Sequence, residues 1–372
     1  MKENTFSGRL GLQQRVLPSY RAVFLDTLAK ACQGGLSVFA GEPQSNERID
    51  PIDELQTAQY HKAKNRYFSN PGTPLFICWQ GGFLHWLESW QPDVLIVEAN
   101  PRYVTTRRAI VWMHHKGRKV IGWGLGAPPI SGPLSGLRRW ERINMLQTLD
   151  AIIAYSKQGA EQYRTLGIRP ERVFVASNAV DPGPTSPPPP RPLHMTGQAT
   201  VLFVGRMQSR KRVDLLIQAC AALPVELQPN LIIIGDGPVR KECENLAHQI
   251  YPKAEFIGAK HSTELEPYFA IANLFVLPGT GGLAIQQAMA HGLPVIVAQG
   301  DGTQDDLVRS ENGWQVTPGD LPMLTNILQV ALSDSIKLRQ MGEASYRIVS
   351  EEINIDNMVE VFVEALNQVS NT

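Results

Sequence analysis

Two turns in residues 201–290 combine glycine with groups that can hold an anion. In the first turn, the apolar segment 201–204 runs into Gly205 and Arg206, and Lys211 follows where a helical pattern opens. Arginine can hold two phosphate oxygens at once, and lysine adds a compact positive charge. We therefore predict that Arg206 and Lys211 bind a diphosphate, with Gly205 beside them. The alternative is an ordinary solvated helix start.

The second turn follows the apolar segment 274–277 and opens another helical pattern. Glycine lets backbone N–H groups come close to a ligand, and the N-terminus of a helix attracts anions. Gln287 lies one helical turn after the turn ends, so it can reach a ribose hydroxyl, although plain surface polarity explains it equally well. The residues predicted to contact phosphate here are Gly279, Thr280, Gly281, Gly282 and Leu283.

Two more buried segments of the C-terminal half end in turn residues. Gly235 and Asp236 follow the segment 231–234, and Gly258 follows 254–257. Because the carboxyl ends of parallel strands meet at one edge of a sheet, these residues are predicted to lie beside the two phosphate turns. A planar base would lie against their backbone. A purely structural role as tight turns is equally compatible with them.

The N-terminal half has its own polar strand ends. Glu98 and Asn100 follow the apolar segment 94–97, with Arg102 at the predicted start of the next helix. We predict that they face a second substrate, while capping of that helix by Asn100 is the alternative. Gly124 and Leu125 lie in a G-x-G-x-x-A sequence, but two prolines follow it directly. No helix can begin there, so a substrate-lining loop is predicted instead of a dinucleotide site.

Apolar segments alternate with helical patterns along the whole chain, which is typical of an α/β fold with parallel sheets and right-handed crossovers. The proline-rich run within 182–192 predicts a linker at 183–194, between an N-terminal domain at 1–182 and a C-terminal domain at 195–354. The predicted buried strands are 36–40, 75–79, 94–97, 120–123, 151–154, 173–176, 201–204, 231–234, 254–257, 274–277 and 295–297.

The composition is that of an ordinary globular protein, with 372 residues, 43% apolar and 19% charged, and no net charge. The charge is uneven, however: residues 1–182 contain 22 Lys and Arg against 15 Asp and Glu, and the rest of the chain contains 13 against 20. The basic half suits an acidic sugar chain or peripheral contact with a membrane surface, or its charges are simply solvated. Basic residues do not alternate with aromatic ones, so nucleic acid is not an expected partner.

Four widely spaced cysteines, Cys32, Cys78, Cys220 and Cys243, form no C-x-x-C pair, and the first residues lack an apolar signal core. Buried free thiols in a reducing compartment fit this pattern. We therefore expect a cytoplasmic protein that contacts the inner membrane face peripherally. No H-x-x-x-H, D-x-D or clustered Cys/His motif indicates a metal, so neither a metal nor a cofactor is expected.

Four segments of the C-terminal half resemble the nucleotide-sugar domain of glycosyltransferase family 4, whose members have the GT-B fold. In chain order they read VGRMQSRKRVDLLIQA, LIIIGDGPVRKECENLA, ELEPYFAIANLFVLPG and GLAIQQAMAHGLPVIV. The N-terminal half is similar more loosely, through QRVLPSYRAVFLDTLA and VFVASNAVD. The resemblance implies two Rossmann-like parallel-sheet domains that face each other across a cleft. It also implies that a helix at about 355–372 packs back on the N-terminal domain.

The resemblance further implies a retaining hexosyltransferase that uses a nucleotide sugar. Arg206 and Lys211 match the pair that holds the diphosphate, which makes them the expected catalytic residues without a metal. We expect a UDP-sugar, with UDP-glucose as the donor. The acceptor is expected to be a saccharide or lipid-linked saccharide of polysaccharide or glycoconjugate synthesis.

This chain departs from the family pattern at two places. The family usually has two glutamates eight residues apart, and here those positions hold Gly279 and Gln287. Many members carry a histidine in the N-terminal loop where Leu125 stands. Two other functions therefore stay open: a UDP-sugar epimerase of the same fold, and a binding protein for nucleotide sugars that lacks catalysis.

Overall fold

The computed structural model describes residues 5–371 except for 45, 46, 48, 50, 71, 72, 74, 75, 133, 196, 282, 283 and 301. The chain divides into two units. The first contains the residues up to Pro182 together with those from Ile355 onward, and the second runs from Gly183 to Asn354. Each unit has its own sheet and its own buried apolar core.

In the first unit, apolar strands alternate with helices as the sequence predicts. Its strands are β1 (Leu10–Val16), β2 (Leu36–Gly41), β3 (Gln59–Phe68), β4 (Ile77–Gly81), β5 (Val94–Glu98), β6 (Lys119–Gly124), β7 (Ala151–Ala154) and β8 (Val173–Val175). Its first helices are α1 (Ala22–Lys30), α2 (Phe83–Trp90), α3 (Val104–His115), α4 (Ser135–Gln147) and α5 (Lys157–Thr165).

The strands of this sheet lie in the order β4-β3-β2-β1-β5-β6-β7-β8. All neighbours are parallel except β3 and β4, which pair antiparallel from Lys64 opposite Gly81 to Phe68 opposite Ile77. The predicted parallel sheet is therefore confirmed, with a correction at this edge. The difference arises because β4 follows β3 without an intervening helix, so the chain returns alongside β3.

The second unit repeats the alternation. Its strands are β9 (Thr200–Val204), β10 (Asn230–Ile234), β11 (Glu255–Gly258), β12 (Leu274–Leu277), β13 (Val295–Ala298) and β14 (Gly313–Val316). Its helices are α6 (Val213–Ala221), α7 (Arg240–Ile250), α8 (Glu266–Ile271), α9 (Ala284–Ala290), α10 (Thr303–Leu307), α11 (Leu321–Ser333) and α12 (Ser335–Arg347). The sheet is parallel with the order β11-β10-β9-β12-β13-β14. Its central strands are apolar on both faces because helices cover both sides.

A π-helical turn at Ile348–Glu352 ends the second unit, and α13 (Ile355–Ser370) then joins the core of the first. The Phe362 ring of α13 lies 5.0 Å from the Phe24 ring of α1 and 5.1 Å from the Trp123 ring of β6, measured between ring centroids. The first unit is thus completed by the last helix of the chain. None of the helices in the described residues is long and apolar enough to cross a membrane.

The proline-rich segment predicted as a linker packs as part of the second unit. Arg191 holds it there, because the guanidinium donates hydrogen bonds to three backbone carbonyls outside the segment. The acceptors are Ala272 at 3.1 Å, Phe269 at 2.7 Å and His291 at 2.6 Å. Burial and the nearby Arg339 lower the pKa of Arg191 to about 10. The proline-rich segment, which its composition predicts to be a spacer, is therefore held against the second unit by hydrogen bonds.

Candidate functional site

The two predicted phosphate turns lie side by side at the middle of the second sheet. One follows β9 and the other follows β12, and these strands are neighbours. From β9 the chain builds outward through β10 and β11, whereas β12 begins the other half of the sheet. The strand order therefore reverses between them, and ligands of open α/β sheets bind outside the carboxyl ends of the strands at such a point.

Three hydrogen bonds hold the two turns together. The Thr280 N–H donates to the Arg210 carbonyl at 3.0 Å, and the Arg210 guanidinium donates to the Thr280 carbonyl at 3.1 Å. The Lys211 ammonium donates to the Gly281 carbonyl at 2.5 Å. Turns that stand 70 residues apart in sequence therefore form one surface.

Gly279 lies at the closest approach of these turns. A Cβ at this position would stand 2.1 Å from the Arg210 carbonyl oxygen and 2.4 Å from the Lys211 Cα. Such contacts cannot be relieved by rotating a side chain, because both partners belong to the backbone. A glutamate here would therefore require a different course of residues 210 and 211.

Lys211 is a buried cation, with 6% of its surface exposed. Burial, helped by the nearby positive charge of Arg210, lowers the pKa of its ammonium to about 8. No carboxylate among the described residues pairs with it. The residue lies in a 3-10 turn at Ser209–Lys211 and not in the helix, because the positive φ of Arg212 (53°) delays α6 until Val213. A ligand phosphate would supply the countercharge that Lys211 lacks.

Arg206 stands on the same turn with an exposed side chain. Within the described residues it makes no ion pair and no side-chain hydrogen bond. The turn itself is tied to the end of β10, because the Met207 N–H donates to the Asp236 carbonyl at 2.9 Å. The guanidinium is thus free to meet a ligand from a fixed backbone.

The remaining glycines predicted at this edge lie in adjacent strand ends. The Gly205 N–H donates to Ile234 at 3.0 Å, and the Gly235 N–H donates to Gly258 at 2.8 Å. A Cβ on Gly235 would stand 2.0 Å from the Gly205 carbonyl oxygen. Asp236 is exposed, and its carboxylate accepts from the Gly237 N–H at 2.7 Å. The structure thus brings Gly205, Gly235, Asp236 and Gly258 to one edge.

Gln287 lies in α9, which begins at Ala284, and it is half-buried. Its backbone carbonyl accepts from the His291 ring nitrogen Nδ1 at 2.8 Å. The predicted contact of its side chain with ribose stays a prediction. Gly282 and Leu283 lie outside the described residues.

The first unit contains a cavity of about 640 Å³ at the carboxyl ends of β5 and β6. All five residues predicted to face a second substrate line it: Glu98, Asn100, Arg102, Gly124 and Leu125. Asn100 does not cap α3, whose N-cap residue is Tyr103; its carboxamide accepts instead from the Arg102 N–H at 3.1 Å. The helix therefore begins beyond Arg102, contrary to the prediction, and this leaves Arg102 in the loop that lines the cavity.

Helix α5 positions the loop that carries Gly124 and Leu125. The Gly126 N–H donates to the Tyr163 hydroxyl at 3.2 Å, and the Ala127 N–H donates to the Gln162 carboxamide at 2.8 Å. Burial raises the pKa of Tyr163 to about 12, so its hydroxyl stays protonated. The loop runs on without starting a helix, as the two prolines predict.

Two residues that line this cavity carry buried polar atoms without partners. Glu98 Oε2 and Trp123 Nε1 are both buried without a hydrogen bond among the described residues. Burial raises the pKa of Glu98, and the positive charge of Arg15 opposes that shift. The Arg21 guanidinium, also buried, lies 4.9 Å from the Trp123 ring. Sequence reasoning did not select Trp123 or Arg21, although Trp123 lies in the G-x-G-x-x-A sequence and Arg21 in the segment QRVLPSYRAVFLDTLA, because their burial and contact appear only in the fold.

The described residues contain no group of three or more His, Cys, Asp or Glu side chains arranged to hold a metal ion. The positive groups at the two candidate sites are instead Lys and Arg side chains.

Two family models match consecutive parts of the chain. The model for glycosyl transferases group 1 matches residues 189–348, and the model for glycosyltransferase family 4 matches residues 33–183. The first covers most of the second unit, and the other covers most of the first.

Curated relatives match over shorter stretches. The sulfoquinovosyl transferase SQD2 of Arabidopsis thaliana is 30% identical over 39% of this chain and 29% of its own length. A GDP-mannose-dependent alpha-mannosyltransferase of Corynebacterium glutamicum is 32% identical over 47% of this chain and 42% of its own length. The chain thus spans less than half the length of these two relatives.

A solved structure matches nearly the whole chain. The Anabaena protein Alr3699/HepE in complex with UDP gives a TM-score of 0.69 at 18% identity, over 97% of this chain and 99% of that one. This likeness confirms the GT-B fold that the sequence predicts. The two family models, which together match most of the chain, show that it belongs to glycosyltransferase family 4.

Proposed function

We propose that this chain is a retaining hexosyltransferase that uses a UDP-sugar, with UDP-glucose as the donor. A saccharide or lipid-linked saccharide, in polysaccharide or glycoconjugate synthesis, would be the acceptor. The observation that carries the proposal is Lys211, a buried ammonium at the switch point of the second sheet with no carboxylate partner in the described part of the chain. Such a cation suits a diphosphate, and the exposed Arg206 on the same turn adds a second positive group.

The chemistry follows from where charge develops. When the bond between the sugar carbon and the diphosphate oxygen breaks, negative charge grows on the leaving diphosphate. Arg206 and Lys211 would stabilise that charge in place of a divalent ion, and the effect is larger for a desolvated group such as Lys211. The acceptor hydroxyl oxygen forms the new bond to the same carbon, and its proton passes to the leaving phosphate oxygen. No protein base is then required.

The choice of a UDP donor rests on the solved relative. The Anabaena protein has been solved with UDP and also with UDP-glucose, whereas the Corynebacterium relative is GDP-mannose-dependent. The strand ends at Gly235 and Gly258 offer backbone to a base, and backbone groups discriminate weakly between uracil and guanine. GDP-mannose is therefore the competitor that every donor experiment must include.

Calorimetric titration tests the donor site. UDP, UDP-glucose, GDP and GDP-mannose are titrated into the wild type and into Arg206→Ala and Lys211→Ala, with Lys241→Ala as the control. Lys241 is an exposed lysine on α7, so its removal takes away the same charge. We expect UDP ligands to bind the wild type and the control, and to bind both site variants at least about tenfold more weakly. Equal UDP affinity in all four proteins contradicts the diphosphate site.

Turnover separates transfer from the other two functions. With UDP-glucose and a saccharide panel, we expect a product that retains the anomeric configuration, at a rate that EDTA does not change. NMR of the donor alone would detect an epimerase, which converts the sugar without an acceptor. Binding without hydrolysis or transfer across the panel would indicate a silent binding protein. Loss of turnover in EDTA would contradict the metal-independent mechanism.

A lipid-linked acceptor would bring the protein to a membrane surface, and α4 has a suitable face. Leu137 and Trp140 on α4, with Leu134 just before it, are apolar side chains with exposed fractions of 53%, 60% and 65%. Basic side chains, Arg138 and Arg139, stand among them. Apolar groups beside positive charge favour the interface of an anionic bilayer.

Vesicle sedimentation tests this contact. We expect the wild type to bind vesicles that contain phosphatidylglycerol, and Leu137→Ser with Trp140→Ser to weaken that binding. Val225→Ser is the control, because Val225 is an apolar residue of the second unit with an exposed fraction of 73%. Equal sedimentation of wild type and the double variant contradicts membrane contact through α4.

A further inference from the structure

The cavity of the first unit is lined by an unusual number of arginines. Arg102 lies in the loop after β5, Arg107 lies on α3, and Arg138 and Arg142 lie one turn apart on α4. Since the side chains of residues four apart on a helix lie on one face, α4 presents Arg138 and Arg142 together. Three separate elements thus supply positive charge to one space.

Two carboxylates, Glu98 and Glu141, line the cavity with these four arginines, so they do not balance the positive charge. The Glu141 Oε1 lies 3.5 Å from the Arg107 guanidinium. Among the described residues, Arg102, Arg138 and Arg142 have no carboxylate partner. The Arg142 guanidinium donates to the Pro128 carbonyl at 2.6 Å, which fixes it in place without neutralising it.

The surroundings of Arg102 and Arg142 also disfavour their positive charges. Burial, and then the positive charge of Arg138, lower the pKa of Arg102. Burial also lowers the pKa of Arg142, with further contributions from Arg102 and Arg138. The cations therefore repel one another within a partly desolvated space. An anion placed among them would relieve that repulsion and gain charge-assisted hydrogen bonds.

The rest of the lining defines what else the ligand carries. Apolar side chains, Ile77, Ile130, Leu134 and Leu137, share the cavity with the arginines. The cavity thus combines a positively charged wall and an apolar wall.

We propose that the acceptor is an amphipathic saccharide with a phosphate or carboxylate group, and that Arg102, Arg138 and Arg142 bind this group. Its apolar part would lie on Leu134 and Leu137. The proposal deepens the proposed function and rests on it, since the ligand is an acceptor only if transfer takes place. A neutral saccharide of the same shape would leave three arginines uncompensated.

Matched amphiphiles test the inference. The probes are n-octyl β-D-glucoside, its 6-phosphate and n-octyl β-D-glucuronide, which share the alkyl chain and the ring and differ in charge. Each is titrated below its micelle concentration, and inorganic phosphate is titrated separately. We expect at least one anionic probe to bind the wild type about tenfold or more tightly than the neutral one, which is the scale of a charge-assisted hydrogen bond. The phosphate and carboxylate arms identify the group.

Variants assign the effect to the cavity. Arg102→Gln and Arg138→Gln are preferred over a change at Arg142, because Arg142 also anchors the Pro128 loop. The control is Arg108→Gln, an exposed arginine of α3 that does not line the cavity. We expect both cavity variants to lose the preference for the anionic probe about tenfold, and the control to keep it. Thermal melting verifies that all the variants are folded.

The outcomes separate this inference from the proposed function. Equal binding of neutral and anionic probes, or equal loss in the Arg108→Gln control, overturns it. Binding of inorganic phosphate alone, without binding of either amphiphile, overturns it too. UDP affinity is measured on the same variants and should not change, so failure of the donor site would appear in the UDP titration alone.

Discussion

The second unit forms its candidate site largely from backbone, whereas the first unit forms its cavity from side chains. At the carboxyl ends of β10 and β12, Gly235 and Gly279 leave no room for a Cβ, and the carbonyl oxygens that exclude it stand 2.0 and 2.1 Å away. The cavity of the first unit, of about 640 Å³, is instead lined by arginines, aromatic rings and leucines. Backbone can bind a group that is common to many ligands, while side chains distinguish one ligand from another.

This difference between the two units fits a division of substrate recognition between them. A diphosphate is common to every nucleotide sugar, and under the proposed function a fixed backbone with Lys211 and Arg206 would suffice for it. The acceptor varies between enzymes of one family, and a cavity whose side chains can be replaced singly can follow that variation. Single substitutions at the candidate site of the second unit should therefore lower activity or stability more than substitutions in the cavity of the first unit.

The largest expected effect is on turnover. Lys211→Ala should lower kcat/KM by about 10²–10³, because a buried cation at the developing charge acts mainly in the transition state. Measured rates of transfer from UDP-glucose check this, with Lys241→Ala as the matched control. A loss below tenfold would contradict this expectation, since Lys211 would then behave like an exposed surface residue.

A change of one methyl group comes next. Gly279→Ala should lower the free energy of unfolding by about 1–3 kcal/mol, because the backbone of residues 210 and 211 must move to admit the Cβ. Gly136→Ala in α4 is the control and should raise it by about 0.5–1 kcal/mol, since alanine favours a helix and nothing lies within 4 Å of its Cβ. Urea denaturation measures both.

The pH dependence of UDP binding sharpens the role of Lys211. The Lys211 side chain binds a diphosphate only in its protonated, ammonium form, and its pKa in the free protein is about 8. As pH rises through 8, affinity for UDP should fall by up to about tenfold per pH unit. Calorimetry in buffers of different ionisation enthalpy should detect proton uptake on binding near this pH. In Lys211→Gln that uptake should vanish; its persistence would assign the proton to another group.

The smallest effect is expected in the first unit. Glu98→Gln should raise the free energy of unfolding at neutral pH by about 1 kcal/mol, because the wild-type carboxylate has a buried oxygen without a partner. The folded pKa of Glu98 is raised above its ordinary 4.5, so the wild type loses stability as pH rises through that higher value. Below 4.5 both proteins carry a neutral group, and the difference should disappear. An unchanged difference across pH would contradict this assignment.

Much of the fold could be predicted because buried parallel strands are continuous apolar runs. The predicted segments 151–154 and 274–277 match β7 and β12 to the residue. Strand β1 is not among the predicted strands, because its apolar run is interrupted by Gln13 and Gln14, which lie in its buried interior. The Gln13 carboxamide donates to Gln80 at 2.5 Å, so a polar residue is accommodated by a partner distant in sequence. Strand β3, mostly exposed and polar, gives no apolar signal either.

The two predicted phosphate turns could be found from sequence because each is a local pattern after an apolar strand. The close packing of one turn against the other could not be predicted, since the contact of Gly279 with Arg210 joins turns that are far apart along the chain. The cavity of the first unit is harder still. Arg138 and Arg142 come from α4, a helix whose sequence contains no motif, and they meet Arg102 only through the fold. Such side-chain groupings leave no pattern to read.

The place of α13 has a consequence for how the protein is made. Phe362 packs on Phe24 and Trp123, so α13, near the end of the chain, covers part of the apolar face between α1 and β6. During synthesis, the first unit therefore lacks α13, and this apolar surface stays exposed until the second unit has been synthesised. Loss of α13 should expose this face, and a nascent or truncated chain would then become a client for chaperones that bind apolar surfaces.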